Sequence, residues 1–333
     1  MHKALALISG GLDSMLAAKL ILQQNIIVEG INFFTGFTGE NLEVPAKTHG
    51  ARWVAEQLGI KLHVVNVFEE FKPVLFNPKY GYGKHLNPCL DCKIFMVNCA
   101  QKFMAHHKFD FLITGEVLGQ RPKSQRKDTL PLVAKNMDDR LLRPLCAKLL
   151  PPTLPEREHW VDRELLCAIS GRSRKPQLDL VAHFGIKEFP QPAGGCTLTD
   201  AKFTHRLRDF WQTRIDKNYT SSDIALLKLG RHLRWQSNFK MIVGRDEKEN
   251  QLLEKFQTHF ISLHPQNYPG ALALIDGSID SKNLEFAARI AAYFSQGKNA
   301  ESVDILIRYP NEPSSILTVK PLGMAEVKKE WYL

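Results

Sequence analysis

The chain has 333 residues, 44% of them apolar and 24% charged, which is typical of globular proteins and sufficient for two domains. Lys and Arg outnumber Asp and Glu by 44 to 35, and this excess favours a polyanionic partner, most commonly nucleic acid. Six cysteines are too few for a disulfide scaffold. We find no apolar window of membrane-spanning length and no leader before the first strand, so we expect a cytoplasmic protein without a membrane partner.

Strand and helix patterns alternate through the first third of the chain. Such alternation implies right-handed crossovers and predicts an α/β fold with a doubly wound, mostly parallel sheet. Ligands of these sheets bind beyond the carboxyl ends of the strands. The predicted strands are 3–8, 26–34, 61–68 and 109–114, and the predicted helices are 13–24, 45–58 and 92–107.

The pattern changes after a proline-rich stretch at 149–155 and a turn-rich loop at 191–200. We predict a larger α/β domain at 1–200, a connecting helix at 201–216 and a smaller α+β domain at 217–333. Further helices are predicted at 154–170, 177–184, 201–214, 221–229, 247–256 and 283–294, and further strands at 239–243, 260–263, 272–275, 303–309 and 316–319.

Residues 9–14 read Ser-Gly-Gly-Leu-Asp-Ser and connect the first predicted strand to the first predicted helix. Two glycines permit a tight turn that directs backbone N–H groups at an anion, and the helix adds the positive end of its dipole. The segment lacks the lysine of a kinase-type P-loop. It resembles the SGGxDS signature of the PP-loop ATP pyrophosphatases, which cleave ATP between its α and β phosphates and activate a carbonyl as an adenylate. The resemblance implies an ATP-binding role for Ser9, Gly10, Gly11, Asp13 and Ser14, with Asp13 as a catalytic residue that helps to position Mg²⁺.

A second motif follows the strand predicted at 109–114. Residues 114–125 read Thr-Gly-Glu-Val-Leu-Gly-Gln-Arg-Pro-Lys-Ser-Gln, and residues 142–145 read Leu-Arg-Pro-Leu. Both resemble ordered motifs of the tRNA 4-thiouridine synthetases. The resemblance implies an ATP-dependent tRNA sulfurtransferase that adenylates a pyrimidine carbonyl oxygen, of uridine or cytidine, and replaces it with sulfur; we expect uridine, as in 4-thiouridine formation. It also implies that 1–200 is the ATP-binding catalytic domain, with ATP contacts at Thr114, Gly115, Glu116 and Gln120.

The sequence departs from the best-known bacterial enzymes of that family at both ends. We see no RNA-binding region ahead of the Ser-Gly-Gly segment and no rhodanese domain with a persulfide cysteine. The departures leave open the target base and the sulfur donor, which we expect to be a cysteine desulfurase persulfide or inorganic sulfide. The oligomeric state also stays open.

Cysteines form a third feature. Cys89 and Cys92 form a C-x-x-C at the start of a predicted helix, where thiolates are stabilised, and Cys196 lies in a distant glycine-rich loop. These three thiols cannot complete a Cys₄ zinc site, but they suit a [4Fe–4S] cluster with one open iron. The arrangement resembles that of some tRNA thiolases of the PP-loop class, in which a C-x-x-C and a third cysteine hold such a cluster.

Two other interpretations of these cysteines stay open. Cys92 and Cys196 align with the catalytic cysteine pair of the 2-thiouridylases, in which one cysteine carries a persulfide and the other resolves it. Cys89 stands where those enzymes carry aspartate in the motif NPDxxCNxxIKF, and this difference favours the cluster. Zinc would need a fourth ligand, such as His85, His106 or His107.

Basic residues are prominent at 230–234 and 240–251. The second stretch resembles part of the RNA-binding domain of the NFACT family, which implies tRNA contact through the tail. The candidates for phosphate contact or base stacking are Arg231, His232, Arg234, Trp235, Lys240 and Arg245.

Other functions are compatible with these motifs. The chain could be a 2-thiouridylase that uses a persulfide relay. It could also be a PP-loop enzyme that uses adenylation for amidation, with zinc on the cysteines. A non-enzymatic RNA-binding protein that uses the PP-loop as an ATP sensor is the third alternative.

Overall fold

The computed structural model describes residues 2–38, 50–190, 196–214 and 218–333. The chain divides into two compact units, Met1–Asp200 and Ala201–Leu333. The helix predicted at 201–216 runs from Ala201 to Thr213 and belongs to the second unit. Among the helices in the described ranges, none combines the length and the apolar composition needed to cross a membrane.

The first unit contains the parallel strands β1 (Lys3–Leu7), β2 (Ile27–Phe34), β3 (Leu62–Asn66), β4 (Phe111–Ile113) and β5 (Leu141–Leu142). Their order in the sheet is β3-β2-β1-β4-β5, with Ala4 beside Val28 on one side and beside Phe111 on the other. The helices are α1 (Leu12–Leu22), α2 (Ala51–Leu58), α3 (Phe68–Phe76), α4 (Cys89–His107), α5 (Leu130–Ala134), α6 (Leu154–Arg157) and α7 (Lys175–His183).

Alternate residues of β1 face opposite sides of the sheet, as the two-residue repeat of a strand requires. Ala4 and Ala6 belong to a buried cluster with the apolar residues of α1. Leu5 and Leu7 belong to a second buried cluster with Val97 of α4. Helices therefore cover both faces of the sheet, and the predicted doubly wound α/β fold is confirmed. Because β1 and β4 are parallel, the segments that follow them meet at one edge of the sheet.

The second unit contains an antiparallel sheet with helices. Its strands are β6 (Arg231–Gln236), β7 (Phe239–Val243), β8 (Ile261–Pro265), β9 (Ala273–Gly277), β10 (Val303–Arg308) and β11 (Ser315–Val319), in the order β11-β10-β8-β9-β7-β6. Its helices are α8 (Ala201–Thr213), α9 (Ser221–Leu227), α10 (Glu247–Glu254) and α11 (Ser281–Tyr293). Small residues of α11, such as Ala287 and Ala291, join the buried cluster of this sheet. The α+β class predicted for the tail is confirmed.

The helix predicted at 154–170 is wrong beyond its first turn. α6 ends at Arg157, and His159 then adopts a φ of 56°, in the left-handed region that helices do not use. The Asp162 side chain accepts a hydrogen bond from Glu164 N and caps a separate 3₁₀ turn at Arg163–Leu165. A capped new turn thus replaces the continuous helix.

The strand predicted at 61–68 ends early, at Asn66, because a helix that the sequence did not suggest begins at Phe68. The Asn66 side chain accepts a hydrogen bond from Phe68 N at 3.0 Å and stabilises the start of α3. Pro73 inside α3 obscured its helical pattern. Residues 45–49 of another predicted helix, and residues 191–195 of the loop predicted at 191–200, lie outside the described residues.

Candidate functional site

The Ser-Gly-Gly segment leaves the carboxyl end of β1 and turns directly into α1. Gly10 has a φ of 79°, and a Cβ there would lie 2.9 Å from Ala51 N, so only glycine suits this position. Gly11 precedes α1 without any side-chain cap on the first amides of the helix. Ser14 Oγ donates to Gly11 O at 2.8 Å and accepts from Ser9 N at 3.2 Å, which closes the turn. The result is a narrow backbone loop at a helix N-terminus, suited to an anion.

Gly115, in the loop after β4, packs directly on this turn. A Cβ at Gly115 would lie 2.5 Å from both Asp13 C and Ser14 N. Any other residue would separate the two loops. The structure thus places the two sequence motifs in backbone contact at one edge of the sheet.

Asp13 is the most heavily bonded side chain of this region. Its Oδ1 accepts from Arg174 Nη1 at 2.9 Å and from Gln177 Nε2 at 3.3 Å, and its Oδ2 accepts from Gln120 Nε2 at 2.7 Å. The structure therefore brings Gln120 to Asp13, as expected of two residues of one site. Arg174 and Gln177 were not anticipated, because they lie more than 150 positions further along the chain, with no motif to mark them.

Glu116 and Thr114 differ from the sequence prediction, because each is only 1% exposed. Thr114 Oγ1 donates to Glu116 Oε2 at 2.9 Å, and Arg143 Nε donates to the same oxygen at 3.1 Å. Burial on its own raises the pKa of Glu116, but the nearby Arg143 and Lys93 charges outweigh it and hold the pKa below its ordinary value. These two side chains stabilise the loop from inside.

The C-x-x-C pair lies in the first turn of α4, close to the loop after β4. Cys89 Sγ lies 3.1 Å from Ser124 Oγ. Burial, and next the neighbouring Cys196 and Cys89, raise the pKa of the Cys92 thiol, whereas Lys93 opposes the rise. The three predicted cysteines are therefore electrostatic neighbours. Within the described residues, however, no three His, Cys, Asp or Glu side chains form a ready metal-binding group.

Hydrogen bonds hold the short segment that contains Cys196 beside the stretch that precedes α4. Leu86 N donates to Leu198 O at 3.3 Å, which ties residues after Cys196 to the stretch before α4. Thr199 Oγ1 donates to Cys196 O at 2.6 Å and fixes the local turn. Among the remaining cysteines, Cys146 is fully buried, and burial raises the pKa of its thiol to about 11.

The RNA contacts predicted for His232 and Lys240 are wrong, because these side chains are 0% and 1% exposed. His232 contacts Leu229 O through Nε2 at 2.9 Å, and burial lowers its pKa well below the usual value. Lys240 Nζ pairs with Asp276 Oδ2 at 3.3 Å. Both residues stand on paired strands that place them inside the unit, where a phosphate cannot reach them.

Arg234 and Trp235 also have internal partners. The Arg234 guanidinium forms a two-point ion pair with Asp209, at 2.6 and 2.9 Å. Trp235 packs edge-on against Phe239, its Nε1 donates to Asn283 Oδ1 at 3.2 Å, and it lies partly buried against the core of this unit. RNA contact through either residue stays a prediction.

Arg231 and Arg245 are the two predicted contacts that stay closer to solvent. Half-buried Arg231 donates from Nη1 to Gly244 O at 3.0 Å. Arg245 is 49% exposed and forms an ion pair with Glu249. The candidate RNA surface is therefore smaller than the sequence suggested.

The fold defines the class: an α/β domain with a doubly wound parallel sheet, followed by an α+β domain. Residues 1–148 match the family model described as "Thiamine biosynthesis protein (ThiI)", and residues 230–332 match that described as "NFACT protein RNA binding domain". Both resemblances stated from the sequence are thus confirmed, each for its own part of the chain.

Two individual relatives are similar to parts of the chain. The chain is 42% identical over 94 residues to a tRNA-specific 2-thiouridylase MnmA of Syntrophotalea carbinolica, covering 26% of each chain. It is 27% identical over 228 residues to tRNA-specific 2-thiouridylase MnmA 1 of Syntrophus aciditrophicus, covering 63% of this chain and 55% of that one. The chain thus spans about a quarter to about half of the length of these relatives.

Among solved structures, the fold is similar to one described as "Crystal structure of a 4-thiouridine synthetase - RNA complex with bound ATP". It is 20% identical, covers 56% of this chain and 52% of that chain, and has a TM-score of 0.35. A similarity of this size carries no further argument.

Proposed function

We propose that the chain is an ATP-dependent tRNA sulfurtransferase that adenylates a uridine carbonyl oxygen and exchanges it for sulfur. The observation that carries the proposal is the meeting of three parts in one unit. These are an anion-binding turn at residues 9–14, a loop pressed on it through Gly115, and a thiol, Cys89, in contact with Ser124 of that same loop. The family match of residues 1–148 and the names of the curated relatives support the same reaction class.

The first half-reaction is activation. Backbone N–H groups of residues 9–12 hold the ATP phosphates, and the Asp13 carboxylate supplies oxygen ligands for Mg²⁺. The uridine carbonyl oxygen attacks the α-phosphorus, the bond between the α-phosphorus and the bridging oxygen breaks, and pyrophosphate leaves. Donors fixed around the turn stabilise the developing charge without reorganisation.

The second half-reaction is substitution. A hydrosulfide attacks the activated carbon, loses its proton, and AMP leaves with the original carbonyl oxygen. If the sulfur is instead the outer sulfur of a cysteine persulfide, AMP leaves in the same way and a second cysteine thiolate then breaks the S–S bond, which releases the thiolated base and leaves a disulfide. Cys89, Cys92 and Cys196 are the residues that hold the incoming sulfur. Burial, and next the neighbouring Cys196 and Cys89, raise the pKa of Cys92, so a positively charged partner favours ionisation of the three thiols together.

Three thiols are the number that a [4Fe–4S] cluster with one open iron takes, and Cys89 and Cys196 are close enough to Cys92 to influence its pKa. When bound, such a cluster would supply an iron with an open position for sulfur. A relay through Cys92 and Cys196 alone is the second candidate, and the relatives named as 2-thiouridylases favour it. We propose the 4-position of uridine as the target on the motif at 114–125, and the same relatives make the 2-position its competitor.

The second unit is proposed to hold the tRNA, on its match to an RNA-binding domain. The sulfur donor is proposed to be a cysteine desulfurase persulfide or inorganic sulfide. The identity of the natural sulfur donor does not affect the test of the reaction, because inorganic sulfide can be supplied directly.

The test uses the full chain purified without oxygen and incubated with unmodified tRNA, Mg²⁺·ATP and sulfide. We expect pyrophosphate release and a thionucleoside, which mass spectrometry and chromatography assign to the 4- or 2-position. Asp13→Asn should lower both by about 100-fold or more, whereas Asp179→Asn, on the exposed side of α7, should not. Ammonia incorporation without sulfur would identify an amidating enzyme, and RNA binding without pyrophosphate release would identify an ATP sensor.

A further inference from the structure

We propose that Arg174 is a phosphate-binding residue of the nucleotide site, which transfers from Asp13 to the ATP phosphates when Mg²⁺·ATP enters. The inference rests on the proposed function, because it assumes that ATP binds at residues 9–14. Arg174 lies outside the segment that matches the thiolation family, which ends at residue 148.

The position of Arg174 gives it access to the phosphates. Its Nη1 lies 2.9 Å from Asp13 Oδ1, and Asp13 is in the first turn of α1, directly after the anion-binding turn. One third of the Arg174 side chain is exposed, and the Asp13 side chain is 16% exposed, so the ion pair is not sealed from solvent. Arg174 also immediately precedes α7, whose N-terminal amides add positive potential at the same place.

Charge balance requires a new partner for Arg174 when Mg²⁺ arrives. Asp13 carries a single negative charge and already shares it with one guanidinium. A divalent ion on the same carboxylate would place three positive charges against one negative charge. The triphosphate supplies the missing negative charge, and a planar guanidinium fork matches the geometry of a phosphate.

Gln177 provides an independent sign of a ligand at this position. Its side chain is 0% exposed, and its Nε2 donates to Asp13 and to Gln120 Oε1, the latter at 3.0 Å. Its Oε1 is buried without a hydrogen-bond partner within the described residues. Buried amide oxygens are normally paired, so this acceptor is suited to a donor that arrives with the substrate, such as a water bound to Mg²⁺.

The test measures equilibrium binding of Mg²⁺·α,β-methylene-ATP to the full chain. Arg174→Gln should weaken binding about 10- to 100-fold, the usual size of a lost charge-assisted hydrogen bond. Arg174→Lys should recover part of the loss. Arg172→Gln removes the same charge from an exposed position two residues away and should leave binding unchanged. Thermal unfolding without nucleotide identifies any variant that fails to fold.

Two results would overturn the inference in different ways. If the wild-type chain binds the analogue and Arg174→Gln binds it equally well, Arg174 only orients Asp13 and the proposed function stands. If the wild-type chain does not bind the analogue at all, both the role of Arg174 and the ATP-dependent reaction are wrong. Loss of binding by Arg174→Gln in a folded protein, with partial recovery by lysine, supports the transfer to phosphate.

Discussion

The thiol of Cys89 lies 3.1 Å from the hydroxyl of Ser124, so the start of α4 is joined to the loop that follows β4. The same loop carries Gly115, whose backbone lies against Asp13. The loop after β4 therefore contacts both the Cys89 thiol and the anion-binding turn. A nucleotide activated at the turn would need little displacement before a sulfur on the cysteines could attack it.

The contribution of Cys89 distinguishes a three-thiol cluster from a two-thiol relay. With a cluster, Cys89→Ala should lose bound iron and acid-labile sulfide and form no thionucleoside, but it should still release pyrophosphate. With a relay through Cys92 and Cys196, Cys89→Ala should keep thionucleoside formation. Iron, sulfide and nucleoside assays on protein purified without oxygen measure the difference.

Cys99→Ser is the matched control for that experiment. Cys99 lies on the same helix, and burial raises the pKa of its thiol, but it is not among the groups that shift the pKa of Cys92. This variant should retain wild-type iron content and thiolation. Equal loss of iron in both variants would mean that damage to α4, not removal of a ligand, explains the result.

Arg143 should be a major source of stability in the first unit. It is buried, pairs with the buried Glu116 carboxylate and donates from Nη2 to Leu130 O at 2.9 Å. Arg143→Met leaves the carboxylate without its ion pair, and we expect the free energy of unfolding to fall by about 3 to 5 kcal/mol. Urea denaturation measures the change.

Arg157→Met is the comparison for Arg143. The Arg157–Asp139 pair is exposed on both sides, at 46% and 67%, and such pairs contribute less than about 1 kcal/mol. Similar losses in the two variants would show that the Glu116–Arg143 pair is not the internal support of the loop after β4.

Arg245 and Arg234 should behave differently in RNA binding. Arg245 is close to solvent, so Arg245→Gln should weaken tRNA binding and reduce the salt dependence of the affinity by about one counterion. Arg234 is held by Asp209, so Arg234→Gln should lower stability and leave the affinity of the folded protein unchanged. Filter binding at several salt concentrations tests both. A larger affinity loss from Arg234→Gln would return that residue to the RNA surface.

Local signals predicted much of the first unit. Strand and helix alternation predicted the parallel sheet, and Gly10 and Gly115 marked close backbone approaches. Arg174 was out of reach of such reasoning, because only the tertiary fold brings it to Asp13 across 161 positions. In the second unit, Lys240 looked like a surface residue because its charge is visible in the sequence. The pairing of Lys240 with Asp276, which lies on another strand, cannot be read from the sequence.

His232 makes the stability of the second unit dependent on pH. Burial, and next the Lys240 and Arg206 charges, hold its pKa well below 6.5, so the folded protein keeps the imidazole neutral. The unfolded chain binds a proton below about pH 6.5 and the folded chain does not. The contribution of the neutral imidazole to the free energy of unfolding is therefore fully present above about pH 6.5. Below that pH the free energy of unfolding declines by up to about 1.4 kcal/mol per pH unit.

His232→Asn should reduce this decline, because an amide can still donate to Leu229 O but does not titrate. Hydrogen exchange of peptides that cover β6 and β7, compared between pH 7 and pH 5, measures the protection of the unit. His205→Asn, at an exposed position of α8, is the control and should decline with pH as the wild type does. If His232→Asn loses protection as steeply as the wild type, another group accounts for the acid sensitivity, because the buried imidazole is then no longer present to bind the proton.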